Sequence, residues 1–174
     1  GITYDVYVHP ERDPGCLLRG HDFLRPFNLR YSHALVVFDR DGCGQEAKAR
    51  ADLELQVEGL LSRAGWDDRA AAVVIDPELE VWVWNASPHV ENALGWDAGT
   101  TALKEWLKQK GWLPEGDLKP THPKKAVEEA LRVARKPRSS SLFHQLAQRV
   151  STDRCVDPAF LKLRSVLSRW FSRE

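Results

Sequence analysis

Two apolar runs that end in carboxylates dominate the hydropathy pattern of the chain. The first extends from Ala34 to Phe38 and is followed at once by Asp39 and Asp41. The second run lies within the stretch from Ala71 to Trp84 and leads into Glu78 and Glu80. Short, β-rich apolar runs that are bounded by charge are typical of buried strands. We therefore predict two buried strands that deliver acidic side chains to one end of a sheet.

The stretch between these two runs predicts a helix and, with it, a parallel crossover. Apolar residues recur at helical spacing from about Gln45 to Ala64, and Gly65 is placed for a C-cap. The second strand is expected within Ala71 to Trp84. A strand, a helix and a second strand in this order, with a connection of this length, are typical of parallel pairing.

Further elements are predicted on both sides of this unit. Ile2 to Val8 alternates apolar and polar residues and predicts a half-buried strand. Cys16 to Phe27 carries a broad apolar face and predicts a short helix. Capping residues and apolar spacing predict five helices in the second half: Ser87 to about Leu94, one from about Thr101, Lys124 to Arg135, Ser139 to Val150, and Pro158 to Phe171.

This succession of elements predicts the α/β fold class. We expect a small, mainly parallel sheet in the first half and a helical C-terminal half. A length of 174 residues is enough for one full domain and short for two. The expected organisation is one domain over residues 1–174, with an α/β core in residues 1–86 and a helical part in residues 87–174.

The composition indicates the class of protein but no particular partner. Hydrophobic residues make up 43% and charged residues 29% of the chain, which is typical of a globular protein. The 25 basic and 25 acidic residues cancel, so the net charge indicates no partner. Basic residues are nevertheless frequent between Lys104 and Arg173, which suits a polyanionic substrate.

The cysteines and the hydropathy profile predict the compartment. Cys16, Cys43 and Cys155 are far apart and show no CxxC spacing. This pattern argues for a reducing compartment and against a disulfide framework or a structural zinc site. No apolar run approaches the roughly 20 residues that cross a bilayer. We therefore expect a soluble, cytoplasmic protein without a membrane partner, while its oligomeric state stays open.

The acidic strand ends predict a divalent-cation site. Asp39 and Asp41 come together where the strand gives way to a turn, and carboxylates this close repel each other unless a cation or a proton neutralises them. Mg²⁺ or Mn²⁺ accepts such oxygen ligands and stabilises displacement at phosphorus. With Glu78 or Glu80 as a further ligand, the site predicts phosphodiester hydrolysis. The alternative is an ordinary Asp-Gly turn beside solvent-facing glutamates.

The FDRDG stretch around Asp39, the PELEVW stretch around Glu80 and the C-terminal SLFHQLAQRV and CVDPAFLKL segments resemble a known family. They are similar to small Toprim-type proteins related to the nuclease half of bacterial anti-phage ATPase–nuclease systems, of the overcoming-lysogenization-defect type. The resemblance spans about residues 33 to 171. It implies a Mg²⁺-dependent nuclease that acts on DNA or RNA in antiviral defence, with an ABC- or SMC-type ATPase as a partner. By this resemblance Asp39, Asp41 and Glu80 are metal ligands.

The family's first motif, a glutamate closely followed by glycine, has no clear copy in this chain. Glu11 stands in the corresponding topological place, between the predicted first strand and Gly15, but its neighbours differ from the motif. Either Glu11 substitutes for the family's glutamate, or that glutamate lies upstream of Gly1, or the metal site is incomplete. An incomplete site would leave a folded crevice that binds nucleic acid without cleaving it.

Two other functions fit parts of the sequence. FDRDG also resembles the first motif of haloacid-dehalogenase-type phosphohydrolases, in which Asp39 would be the nucleophile and Asp41 the proton donor. Cys43 stands where those enzymes carry Thr or Val, and no later strand ends in an Asp pair. The non-enzymatic alternative is an adaptor subunit on the same fold. The chain has seven tryptophans, a residue type enriched at interfaces, although packing of the helical half explains most of them equally well.

Basic residues in the second half are candidates for binding a nucleic-acid backbone. Lys124 and Lys125 stand at the start of a predicted helix, where main-chain N–H groups also favour phosphate. Arg132 and Arg135 belong to the densest basic run of the chain. A solvated helix surface is the alternative for all four residues.

Overall fold

The computed structural model describes residues 1–84, 89–97, 101–149 and 155–172. The chain forms two compact units. The first unit comprises Gly1–Pro77 and Pro158–Glu174, and the second comprises Glu78–Asp157. Helices together with a small parallel sheet confirm the predicted α/β class. The Toprim-like type of the fold and the single-domain organisation stay predictions.

A two-stranded parallel sheet lies at the centre of the first unit. Strand β1 (Ala34–Asp39) pairs with β2 (Ala70–Ile75) from Ala34 opposite Ala70 to Asp39 opposite Ile75. Helices α1 (Arg12–Leu24) and α2 (Arg50–Leu61) pack against it. The helices contribute buried leucines and Val57 to one core with the sheet. The predicted strands and the parallel crossover are confirmed, and α2 begins five residues later than predicted.

One predicted strand is wrong, and a second is shorter than its predicted range. Ile2 to Val8 forms no regular secondary structure, and its large apolar side chains are exposed. Among the described residues its main chain has no hydrogen bond, because no strand lies beside it. The second predicted strand ends at Ile75, and a short 3₁₀ turn covers Leu79–Trp82 instead. Pro77 interrupts the strand there, since proline cannot donate to a ladder.

The second unit is helical in its described parts. It contains α3 (His89–Leu94), α4 (Leu103–Gln109), α5 (Pro123–Val133) and α6 (Ser140–Arg149). Each overlaps a predicted helix, whereas the predicted start at Ser87 lies outside the described residues. Buried aliphatic side chains of α3 to α6 form one core with Trp84 and Trp96. These two tryptophans therefore pack within the core of the second unit.

The last helix, α7 (Pro158–Phe171), has the predicted bounds and belongs to the first unit. Its Ala159 and Val166 are buried. Near its end, the Trp170 ring stacks on His33 with 4.7 Å between ring centroids. In the part of the chain that the structure describes, no helix is both long and apolar enough to cross a membrane.

Gly65 and Gly59 provide a matched test of this fold. Gly65 ends the helical run after α2 with φ +88°, and a Cβ there would lie 2.8 Å from Asn28 Nδ2. We expect Gly65→Ala to lower the free energy of unfolding by about 1–2 kcal/mol, because L residues are strained in this conformation. Gly59 lies inside α2 with its nearest contact at 3.8 Å. Gly59→Ala should instead stabilise by about 0.5–1 kcal/mol.

Urea unfolding of the two glycine variants distinguishes these effects. The two substitutions add the same methyl group within seven residues of each other, so hydrophobicity alone predicts shifts of one sign. Opposite signs are the expected result. Equal signs would contradict the left-handed conformation of Gly65.

Candidate functional site

The predicted aspartate pair lies at the carboxyl end of the parallel sheet. Asp39 is half-buried as the last residue of β1, and Asp41 is exposed two residues later. The Arg40 N–H donates to Ile75 O at 2.8 Å, and the Asp41 N–H donates to Pro77 O at 2.9 Å. The turn after β1 is therefore tied to the end of β2, where the sequence predicted a common edge.

Asp13 is a carboxylate of this site that sequence analysis missed. It lies in the first turn of α1, and its Oδ1 accepts the Asp39 N–H at 3.2 Å. The order of the elements predicts this position of Asp13, because a helix that precedes a parallel strand begins near that strand's carboxyl end. The family resemblance points to Glu11 instead. Asp13 stands two residues later and contacts the site directly.

Glu11 forms an ion pair with Arg19 of α1. Both Glu11 carboxylate oxygens accept from Arg19 Nη2, and both side chains are about half exposed. The predicted role of Glu11 as the third corner of a metal site stays a prediction. Its nearest described electrostatic partner is a guanidinium of its own helix region.

Glu78 and Glu80 belong to the second unit and are buried there, with 9% and 3% of their surface exposed. Glu78 Oε1 accepts the main-chain N–H of Lys124 at 2.9 Å. It thereby caps the start of α5, where the sequence predicted a phosphate contact. Glu80 Oε1 accepts from Arg138 Nη2 at 2.6 Å. Each carboxylate thus neutralises or satisfies a donor of its own unit.

The predicted nucleic-acid contacts lie on and just after α5. Lys124 and Lys125 are exposed at its start. Arg132 is bonded to Glu129 one turn earlier, at 2.7 Å, and this contact lowers the pKa of the Glu129 carboxyl. Arg135 follows the end of the helix with φ +53°. All four predicted side chains are exposed, and their binding role stays a prediction.

A second acidic group was not predicted, and it closes the outer edge of β2. Glu54 Oε1 accepts the Val74 N–H at 3.0 Å, and Glu58 Oε1 accepts the Ala72 N–H at 3.1 Å. Lys162 of α7 donates to both glutamates, at 3.2 and 2.7 Å. Two carboxylates of α2 therefore take the place of a neighbouring strand, and the Lys162 ammonium and the Arg50 guanidinium together neutralise them.

The turn after β1 contains a carboxylate, that of Glu46, which the main chain of the turn binds. Gly42 and Gly44 have φ +82° and +84°, and the Gly44 N–H donates to Glu46 Oε1 at 3.0 Å. Main-chain N–H groups, first that of Glu46 itself and then that of Gly44, lower the pKa of the Glu46 carboxyl. Cys43 is buried with 1% of its surface exposed. The turn therefore presents no accessible thiol.

The fit of these residues to a divalent cation can be tested directly. In residues 1–84, 89–97, 101–149 and 155–172, no three His, Cys, Asp or Glu side chains are grouped as metal ligands. Asp39 and Asp41 lie in the first unit, and Glu78 and Glu80 lie in the second. Within each unit, the described carboxylates thus form no such group. Shared coordination by the two pairs stays a prediction.

Comparisons with protein-family models, with curated proteins and with solved structures gave no match. The resemblance to Toprim-type proteins thus depends on the four stretches named above, of which FDRDG and PELEVW are the specific ones. Function has to be argued from the contacts of individual residues.

Proposed function

We propose that the chain is a non-catalytic, protein-binding subunit on an α/β fold, within a defence assembly of the kind that the sequence resemblance implies. One observation supports this most strongly. The three glutamates expected at the metal site each bond to a donor of their own chain. These pairs are Glu11 with Arg19, Glu78 with the Lys124 N–H, and Glu80 with Arg138.

The surroundings of Glu80 give this observation its weight. Its side chain is 5% exposed, and the guanidinium of Arg138 already neutralises the carboxylate. The bond to Arg138 therefore satisfies this buried carboxylate without a metal. Withdrawing it for a metal would leave the guanidinium unpaired, and breaking a partly buried ion pair destabilises a fold. Glu80 thus has a sufficient structural role.

A surface suited to protein binding is present at the start of the chain. We call Ile2–Val8 the N-terminal segment. Ile2, Tyr4, Val6 and Val8 are exposed by 57%, 76%, 79% and 74%. Exposed apolar groups concentrated in one place mark interaction sites more often than singly scattered ones do. The segment therefore favours a protein partner.

Size-exclusion chromatography with a candidate ABC-type ATPase tests this function. The expected result is a complex that persists when Asp39 and Asp41 are both replaced by alanine and is lost in Val6→Lys. Leu29→Lys is the matched control, because Leu29 is 98% exposed and lies outside the segment. Loss of the complex in the double aspartate variant, or its retention in Val6→Lys, would contradict the proposal.

A second candidate is Mg²⁺- or Mn²⁺-dependent hydrolysis of DNA or RNA, favoured by the position of Asp13 beside Asp39. If it holds, Asp39→Ala and Asp41→Ala will each abolish metal-dependent cleavage in a folded protein, because a carboxylate ligand is lost. Asp52→Asn, an exposed change on α2, should leave cleavage intact. Cleavage by a folded double variant at the wild-type rate excludes the aspartate pair, and absence of cleavage by the wild type favours the adaptor.

A further inference from the structure

The N-terminal segment has the sequence of a strand but no strand beside it. Thr3, Asp5 and Tyr7 alternate with Ile2, Tyr4, Val6 and Val8. β-branched and aromatic residues in this pattern fit a pleated, half-buried surface. Among the described residues, the main chain of Ile2–Val8 has no hydrogen bond. Both its apolar face and its main chain are available for pairing.

The alternate face of the segment lies against its own unit. The Tyr7 ring contacts Phe23 and Phe27, with centroids 6.3 and 5.0 Å apart. The Tyr7 and Tyr31 hydroxyls are 3.1 Å apart, and the Tyr31 hydroxyl also donates to Asp5. These contacts hold the segment against α1 and the turn that follows it, and its main chain makes no hydrogen bond to β1 of the same chain. Its own sheet edge is therefore left open.

The ladder identifies this open edge of β1. Because the Arg40 N–H bonds Ile75 O, even-numbered residues of β1 face β2 and odd-numbered residues face away. The Asp39 N–H, on the outer side, is satisfied by Asp13. In the described chain, the outward main-chain groups of Leu35 and Val37 have no partner, and Val37 is 41% exposed. We call Leu35 to Val37 the open edge.

The two edges of the sheet are treated differently. Glu54 and Glu58 close the outer edge of β2 by accepting the N–H groups of Val74 and Ala72. Proteins usually block such edges with charges or coverage, since an uncovered edge pairs readily with another strand. The open edge of β1 carries the apolar Leu35 and Val37. It is therefore fitted to receive a strand.

We propose that in a two-fold dimer the N-terminal segment of each chain adds as a strand to the open edge of β1 in the second copy. This inference rests on the proposed binding function and names its partner surface. Each chain supplies one unpaired strand-like segment and one unpaired edge, so a reciprocal exchange satisfies both in a closed dimer. The added strand bonds through its main chain, as in recognition by β-augmentation.

The area available is adequate for a dimer. The exposed apolar side chains of one segment present on the order of 500 Å², given about 150–250 Å² for an aromatic side chain and less for an aliphatic one. Two segments and the surfaces that they cover approach the roughly 1,200–2,000 Å² typical of a specific interface. A second copy is thus a sufficient occupant of the segment, and the ATPase is then expected to bind the dimer, which Val6→Lys disrupts.

Light scattering coupled to size exclusion, at micromolar protein concentration, measures the association. The wild type is expected at twice the chain mass. Val6→Lys and Val37→Pro should each raise the dimer dissociation constant at least about tenfold. Proline at Val37 removes an outward N–H and leaves the bonds to β2 in place. If circular dichroism shows that the proline variant is unfolded, Val37→Lys replaces it. Leu29→Lys is the neutral control.

Disulfide trapping identifies the occupant. A chain with both Val6→Cys and Val37→Cys, oxidised and run without reductant, should give a covalent dimer, while neither single variant does so. A monomeric wild type overturns the inference, and so does an intrachain disulfide, which would assign the edge to the chain's own segment. Complex formation with the ATPase is a separate readout, so a failed dimer leaves the proposed function to its own test.

Discussion

Replacing Glu54 by leucine is expected to lower the free energy of unfolding of the first unit by about 3 kcal/mol. The Glu54 side chain is 4% exposed, and its oxygens bond Arg50 and Lys162 as well as the Val74 N–H. Leucine removes the acceptor for a buried main-chain donor and leaves Lys162 with Glu58 alone. The loss combines an unsatisfied donor with a broken ion network.

A graded series on α2 separates these contributions. Glu54→Gln keeps an oxygen for the Val74 N–H but loses the charge, so an intermediate loss is expected. Asp52→Asn, on the exposed side of the same helix, should change stability by less than about 0.5 kcal/mol. Urea unfolding followed by far-ultraviolet circular dichroism measures all three variants. A leucine variant as stable as Asp52→Asn would show that the edge of β2 needs no carboxylate.

The second large effect is expected at Glu80. Glu80→Leu should cost the second unit about 2 kcal/mol, because Arg138 loses its partner. The value stays below that of a fully buried pair, since the Arg138 side chain is 49% exposed and water screens it. A structural glutamate shows this loss without any metal present.

A double-mutant cycle tests the Glu80 contact specifically. Glu80→Leu and Arg138→Leu together should cost less than the sum of the single changes, because both remove the same interaction. Glu128→Gln is the control, since Glu128 is exposed on α5 of the same unit. Strictly additive losses would contradict the ion pair.

The sequence predicted the elements whose signals are local. β1 and α2 followed from apolar periodicity, and the parallel pairing followed from their order. The strand at Ile2–Val8 failed for a non-local reason, because strand propensity becomes a strand only beside an available edge. The pattern was correct for a strand, and the described structure gives the segment no partner. Pro77 is a local signal against extending the second strand, which ends at Ile75.

At the candidate site, sequence predicted the position of Asp39 and Asp41 but not the partners of the glutamates. Position follows from strand ends, whereas a carboxylate's partner depends on residues far along the chain. Glu80 pairs with Arg138, 58 residues later. Glu54 could have been suspected, because it falls between the apolar Leu53 and Val57 on α2. Its bond to Val74 required the three-dimensional arrangement.

Thermal unfolding of the wild-type chain and of Glu80→Gln, each with and without millimolar MgCl₂, tests the central claim most directly. A ligand that binds only the folded protein raises its melting temperature. If the glutamates hold the fold, Mg²⁺ leaves the wild-type melting temperature unchanged, and Glu80→Gln lowers it equally in both buffers. A Mg²⁺-dependent rise in the wild-type melting temperature that Glu80→Gln abolishes would contradict this account and would support the metal site.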